Sequence, residues 1–242
     1  MRWLLGGELH PGGERTTRRA LELIKLRAGE RLLDVASGTG ESAMLAAREF
    51  GCLAAGVDYS AQAVRGAQST ADARGLCDRV GFARGDAEAL PFGDCSFDAA
   101  LCECSLCMFP DKPRALAELR RVLRPGARLA ISDVTADHAR LPETLRGAMA
   151  RVACVGTALS ADGYRLMLER AGFDLLREED RAADAAALAL RVEDRLRGAR
   201  LIGWHQADGA PTLEDAIHIV RVAREALAGG TLGYAIFLAS RR

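Results

Sequence analysis

The sequence predicts one α/β domain: a doubly wound, mostly parallel sheet of seven strands, its last strand antiparallel, with a helical insertion. Three observations carry this. Short runs of Val, Leu and Ala alternate with longer helical patterns, the first run ends in a glycine turn, and no repeat or Pro/Gly/Ser linker divides the 242 residues. Short apolar runs closed by turn signals are what buried parallel strands look like.

The elements follow in order. Arg31–Ala36 reads as the first strand, and Ser42–Phe50, rich in alanine and leucine, as a helix. Leu53–Asp58 is a second strand, followed by a helix over Ala61–Gly75 that ends on its glycine. Val80–Asp86 and Phe97–Glu103 are the third and fourth strands, and Arg114–Leu123 is an amphipathic helix. Pro125-Gly126 stops that helix before a fifth strand, Arg128–Asp133. Such alternation implies right-handed crossovers and helices on both faces of the sheet. Past Asp133 the rhythm changes. Residues 137–160 look helical, Tyr164–Gly172 forms a helix and Phe173–Glu178 a sixth strand. A long Ala/Arg-rich helical stretch precedes the closing strand Leu232–Leu238, which is expected antiparallel at the sheet's edge. The chain therefore divides into an N-terminal helical cap (1–30), a core (31–135), a helical part with the sixth strand (136–228) and a final strand (229–242).

Composition narrows the function classes. Basic and acidic residues balance at 33 each, which gives no field to gather nucleic acid or anionic lipid. No apolar run approaches the roughly 20 residues of a membrane span, and Arg2-Trp3-Leu4-Leu5-Gly6-Gly7 is too short and too soon polar for a signal peptide. Seven cysteines, an odd number, fit reduced thiols better than a disulfide framework. A soluble cytoplasmic protein is expected, with a small-molecule partner, without nucleic acid or membrane, and with a homodimer left open.

The turn Asp34-Val35-Ala36-Ser37-Gly38-Thr39-Gly40 joins the first strand to its helix. Glycines there let the backbone approach a ligand, and amides at a helix start add positive potential. Acids recur where later strands end, at Asp58, Asp86 and Glu103. In a doubly wound sheet these ends face the ligand crevice. A carboxylate closing strand two suits the paired hydroxyls of a ribose, and one closing strand three suits the amino group of a base. NAD(P), FAD and S-adenosylmethionine all remain open on this pattern. Asp34 and Glu41 count against a pyrophosphate, which they would repel, and favour a ligand carrying ammonium and sulfonium.

The residues Leu32–Gly40, Gly56-Val57-Asp58-Tyr59-Ser60, Gly85–Phe92, Ser96-Phe97-Asp98 and Arg121–Gly126 resemble the motifs of class I S-adenosylmethionine-dependent methyltransferases. The order and spacing match across residues 14–135, and the look is that of the small-molecule branch with ubiquinone/menaquinone-biosynthesis and arsenite methyltransferases. Ala36-Ser37 departs from the family's usual Gly-Cys or Gly-Ser. The resemblance implies a Rossmann-like fold and S-adenosylmethionine as cofactor. It implies that Asp34, Ala36, Gly38, Thr39 and Gly40 run along the methionine part, and that Asp58 holds the ribose. Tyr59 would pack on the adenine, Asp86, Ala87 and Glu88 would line its amino edge, and Glu103 and Cys104 would lie next to the sulfonium.

Methyl transfer needs mostly positioning, plus a base where the nucleophile carries a proton. Candidate bases are His10, His138, His205 and His218, of which His10 and His205 lie in segments that would cover the site; Glu103 is a further candidate. No resident metal is expected. Cys102, Cys104 and Cys107, with Cys154 elsewhere, fit packing residues best, Cys102 and Cys104 sharing one sheet face by the strand period; contact with a soft substrate or zinc is the alternative. A protein that keeps the cofactor site without the chemistry is the second functional reading.

Overall fold

The computed structural model describes residues 10–149, 153–201 and 212–242. Its elements are α1 (Gly13–Ile24), β1 (Arg31–Val35), α2 (Glu41–Phe50), β2 (Leu53–Asp58), α3 (Ala61–Ala73), β3 (Val80–Arg84) and β4 (Phe97–Glu103). They continue with α4 (Lys112–Val122), β5 (Leu123–Ala136), α5 (Glu143–Met149), α6 (Ala153–Gly156), α7 (Ala161–Arg170), β6 (Phe173–Asp180), α8 (Ala182–Leu201), α9 (Leu213–Ala228) and β7 (Leu232–Arg241). The seven strands form one sheet in the order β3-β2-β1-β4-β5-β7-β6. β7 runs antiparallel to both neighbours and the other pairings are parallel.

The strands alternate because both faces of the sheet are buried. Leu32 on β1 and Ala99 and Leu101 on β4 join one cluster, with Leu21 and Ile24 of α1, Met44 and Leu45 of α2 and Ala71 of α3. Leu33 and Val35, with Ala100 and Cys102, join the opposite cluster, against Leu116 and Leu119 of α4 and Tyr164 and Leu168 of α7. A period of two on a sheet covered on both sides yields strands without a polar face. A third cluster, built on Cys107, Leu141, Leu145, Val155, Ala226 and Leu232, holds the helical insertion over the end of the sheet.

Two expectations need correction. The antiparallel strand is not at the edge: β7 lies between β5 and β6, pairing Leu129 with Ala239 on one side and Leu175 with Ala239 on the other. Buried on both faces and paired along both edges, its run Tyr234–Ala239 is an interior strand, and the charged β6 takes the edge. The fifth strand also begins earlier than Pro125-Gly126 suggested. Leu123 already pairs with Phe97, and the register then shifts so that Ala99 meets Arg128.

Sheet order places a topological switch between β1 and β4. β2 and β3 continue to one side of β1, while β4 and β5 continue to the other. The loops at the two carboxyl ends diverge there and leave a crevice.

Candidate active site

Asp34 comes from the end of β1, and its partner residue across the ladder is Leu101 of β4, so Asp34 and Glu103 project into the same crevice. The turn after β1 is fixed by backbone bonds: Ser37 N–H donates to the Val57 carbonyl at 3.0 Å, and Gly40 N–H to the Ser37 carbonyl at 2.8 Å. Gly40 has φ +77°, and a Cβ there would stand 2.3 Å from Phe82, so only glycine lets α2 start this close to β3.

A cavity of about 500 Å³ opens beside this turn, bordered by His10, Thr17, Asp34, Ala36, Gly38, Thr39, Ser42, Glu103 and Cys104. A second, of about 360 Å³, is bordered by Ala36, Asp58, Tyr59, Asp86, Ala87, Glu88 and Phe109. Ala36 belongs to both, so the two form adjoining parts of one cleft along the strand ends. Gly38 N–H donates to Asp58 Oδ2 at 2.8 Å and Ser60 N–H to Asp58 Oδ1 at 2.8 Å. A carboxylate has about four acceptor positions; these two bonds aim Asp58 and leave the remainder for a ligand. The turn, Asp58 and Asp86 therefore converge, and open space rather than packed side chains lies between them.

Polarity inside the first cavity is unbalanced. Asp34 is buried, its Oδ2 has no hydrogen-bond partner, and neither has the Ser37 hydroxyl. Burial pushes the Asp34 carboxyl well above the usual carboxylate range, the negative charges of Glu103 and Asp58 push further, and the Ala43 amide opposes them. Orphaned buried polar atoms are rare and costly unless something polar arrives. Two carboxylates side by side suit a cation.

Glu103 gathers groups from several elements. It accepts from the Thr17 hydroxyl at 3.0 Å, from the Ser42 hydroxyl at 2.7 Å and from the Ser132 hydroxyl at 3.5 Å, and His10 Nε2 lies 3.7 Å from its Oε2. His10 Nε2 is also 3.3 Å from the Thr17 hydroxyl. Helix α1 is thereby fastened over the cavity.

The other candidates sort clearly. Tyr59 is 71% exposed with the Arg84 guanidinium 5.9 Å from its ring centre. Asp86 accepts the Glu88 N–H at 2.9 Å through Oδ1, and Glu88 itself accepts the Asp111 N–H at 2.7 Å, so its carboxylate faces the start of α4. Glu41, read as a second charge on the turn, is paired with Arg74 at 2.7 Å. His138 bonds the Ala158 carbonyl at 2.8 Å, His218 is exposed on α9, and His205 lies outside the described residues. Cys104 does not share a sheet face with Cys102: it lies past β4 with φ +50°, while Cys102 is buried beside Ser105. Thr17 and Ser42 were missed. Ser42, in the first turn after the glycine loop, was the readable signal; Thr17 gave none, because only the tertiary fold brings α1 to Glu103. Among the described residues no group of three His, Cys, Asp or Glu is arranged to hold a metal ion.

A family model described as a methyltransferase domain matches residues 33–131. The methyltransferase GfsG of Streptomyces halstedii is 35% identical over 175 residues, 71% of this chain and 63% of that protein. The 27-O-demethylrifamycin SV methyltransferase of Amycolatopsis mediterranei is 33% identical over 195 residues, 77% of this chain and 69% of that one. The chain belongs to the methyltransferase family. This methyltransferase spans about two thirds of the length of those relatives. Among solved structures, the [4+2]-cyclase SpnF superposes with a TM-score of 0.78 at 27% identity, covering 99% of this chain and 90% of that one. The sheet order, the antiparallel β7 and the cleft at the β1–β4 switch make up a Rossmann-like architecture.

Proposed function

We propose that this methyltransferase holds S-adenosylmethionine along the cleft from Glu103 to Asp86 and methylates a small molecule delivered to the Glu103–Cys104 end. The observation carrying this reading is the buried, unpartnered Asp34 Oδ2 beside Glu103, an anionic recess for the ammonium of the methionine part. Bound there, the cofactor supplies a methyl carbon already activated by a sulfonium.

The residues then have distinct tasks. Gly38, Thr39 and Gly40, with Ala36, form a floor on which backbone comes close to the ligand. Asp58, oriented by Gly38 and Ser60, accepts from the ribose hydroxyls. Tyr59 covers one face of the adenine, Asp86 and Ala87 meet its edge, and Glu88 supports that loop from the start of α4. Glu103 acts by positioning: it ties His10 and Thr17 of the N-terminal segment and Ser42 of α2 around the donor. The domain divides accordingly, with residues 1–30 as cap, 31–135 holding the donor, 136–228 shaping the acceptor side and 229–242 completing the sheet. Seven free cysteines support a reducing, cytoplasmic setting, and no described helix is long and apolar enough to cross a membrane.

Calorimetry with S-adenosylmethionine, S-adenosylhomocysteine and NADH tests the donor assignment: the first two are expected to bind and NADH not. A likeness to a protein named as a cyclase supplies the second reading, a donor site without methyl transfer. Labelled methyl appearing on any of a panel of phenols, quinols, thiols and arsenite separates the two; binding without transfer favours the second.

A further inference from the structure

A groove of about 640 Å³ separates α4 from α7 on the sheet face that both helices cover. Pro113 and Ala117 of α4 border it on one side, with Leu159, Leu166 and Met167 of the α7 segment on the other. Leu166 is 45% exposed, whereas Tyr164 and Leu168 of the same helix are fully buried, so α7 turns an apolar side chain away from the core. Lys112, Arg120 and Arg170 bring three positive charges to the groove. Among the described residues, no aromatic, hydroxyl, amide or carboxylate side chain borders it. These cations are not neutralised. Arg120 and Arg170 make no ion pair among the described residues, and Lys112 donates to the Phe109 carbonyl at 3.2 Å. Other arginines of the same two helices differ: Arg121 is paired with Glu118 and Asp94, and Arg165 with Glu178 and Asp162. Arg120 is held in place by a close approach. Gly172 has φ +84°, and a Cβ there would stand 2.6 Å from Arg120 Nε, so glycine leaves room for this side chain beside the end of α7.

We propose that this groove is a second binding site of the enzyme, for an aliphatic chain carrying an anionic head group. The lining selects that chemistry. A nucleotide or sugar needs stacking surfaces and side-chain acceptors for its amino and hydroxyl groups, and the groove offers neither. Its side-chain donors are cationic, and guanidinium groups match the oxygens of a carboxylate or phosphate. Apolar walls with a few placed charges, in a volume of roughly 300–1,000 Å³, are the usual make-up of a small-molecule site. The head group lies with Arg120 and Arg170, near the carboxyl ends of α4 and α7, and the chain runs along Met167 and Leu166 towards Pro113. Pro110 borders both this groove and the cavity holding Tyr59 and Asp86, so the site adjoins the donor cleft without sharing its acids. Binding here is independent of what the cleft holds.

Calorimetric titration of the intact protein with monomeric decanoate tests the site, with decanol and decyltrimethylammonium as the neutral and cationic counterparts. One decanoate per chain is expected, with both counterparts binding at least about tenfold more weakly, the usual worth of a charge-assisted hydrogen bond. R120Q and R170Q are each expected to weaken decanoate binding about tenfold on the same grounds. A117E sets a carboxylate in the groove from an exposed helix position and is expected to abolish binding. R65Q, on α3 against the opposite face of the sheet, is the unchanged control. The comparison of the three probes needs no variant and answers if one fails to fold. Decanol binding as tightly as decanoate, or unaltered affinity in both arginine variants, overturns the site. So does displacement of decanoate by S-adenosylhomocysteine, which would put the chain in the donor cleft. Sedimentation with phosphatidylglycerol vesicles separates a free chain from a lipid surface: capture by vesicles without binding of monomeric decanoate also overturns the site.

Discussion

Asp34 is the residue on which solvation and charge press hardest. Because its carboxyl is raised in the free protein, chiefly by burial and then by Glu103, a cationic ligand beside it must favour the ionised form and expel a proton. The sign follows: the free protein holds the proton more tightly than the complex, so affinity for S-adenosylmethionine rises with pH through the titration of Asp34. Calorimetry in buffers of different ionisation enthalpy is expected to show proton release for the wild type and less for Asp34→Asn. Equal proton counts would remove Asp34 from the ammonium recess. At Asp58 the expected cost is larger in affinity: Asp58→Ala leaves the ribose donors without an acceptor and weakens binding by about 1–3 kcal/mol. Ala36 makes a different prediction. With φ +58° it holds a conformation that costs an L-residue roughly 1–2 kcal/mol, partly offset by the entropy that glycine would lose. Ala36→Gly is therefore expected to raise stability by about 1 kcal/mol in chemical denaturation, with cofactor affinity retained.

At the scale of elements, the end of β5 carries a buried charge. Asp133 accepts the N–H groups of Cys107 and Val134, yet burial outweighs these bonds and pushes its carboxyl up to about 6. An unfolded aspartate titrates near 3.9, so the folded state binds this proton more tightly. The contribution is fully present below about pH 4 and is lost as pH rises to about 6, by roughly 3 kcal/mol in all. Asp133→Asn keeps an oxygen acceptor for the two amides, and its stability is expected to be flatter than that of the wild type across that window.

The readable elements were those whose local signals agreed with their surroundings. β1, β2 and β4 are apolar along their length because both faces are covered, and their sequence runs say so. The position of β7 was not readable: an apolar strand is equally apolar beside any two neighbours, and insertion between β5 and β6 is settled by the sheet as a whole. The start of β5 was hidden by Pro125-Gly126, which interrupts the register without ending the strand. In the site, glycines and strand-end acids were legible because their spacing is local chemistry. Thr17 on Glu103 joins residues 86 positions apart, which no local pattern encodes.

For the whole molecule, the division of labour follows from the topology. The β1–β4 switch opens a cleft, the first half of the chain lines it, and the insertion with its own apolar cluster stands over the end where Glu103 and Cys104 meet. α1 is fastened to that end through Thr17 and Glu103, so Glu103→Gln, which halves the acceptor capacity there, is expected to loosen the cap. Faster amide exchange over α1 in that variant, with exchange in β1 and β4 unchanged, would show it; unaltered exchange over α1 would mean that apolar packing alone holds the cap. The most direct measurement is a crystal structure grown with S-adenosylhomocysteine. The predicted result is the amino group between Asp34 and Glu103, the ribose on Asp58 and the adenine between Tyr59 and Asp86. A ligand bound elsewhere, or one whose ribose leaves Asp58 untouched, would contradict it.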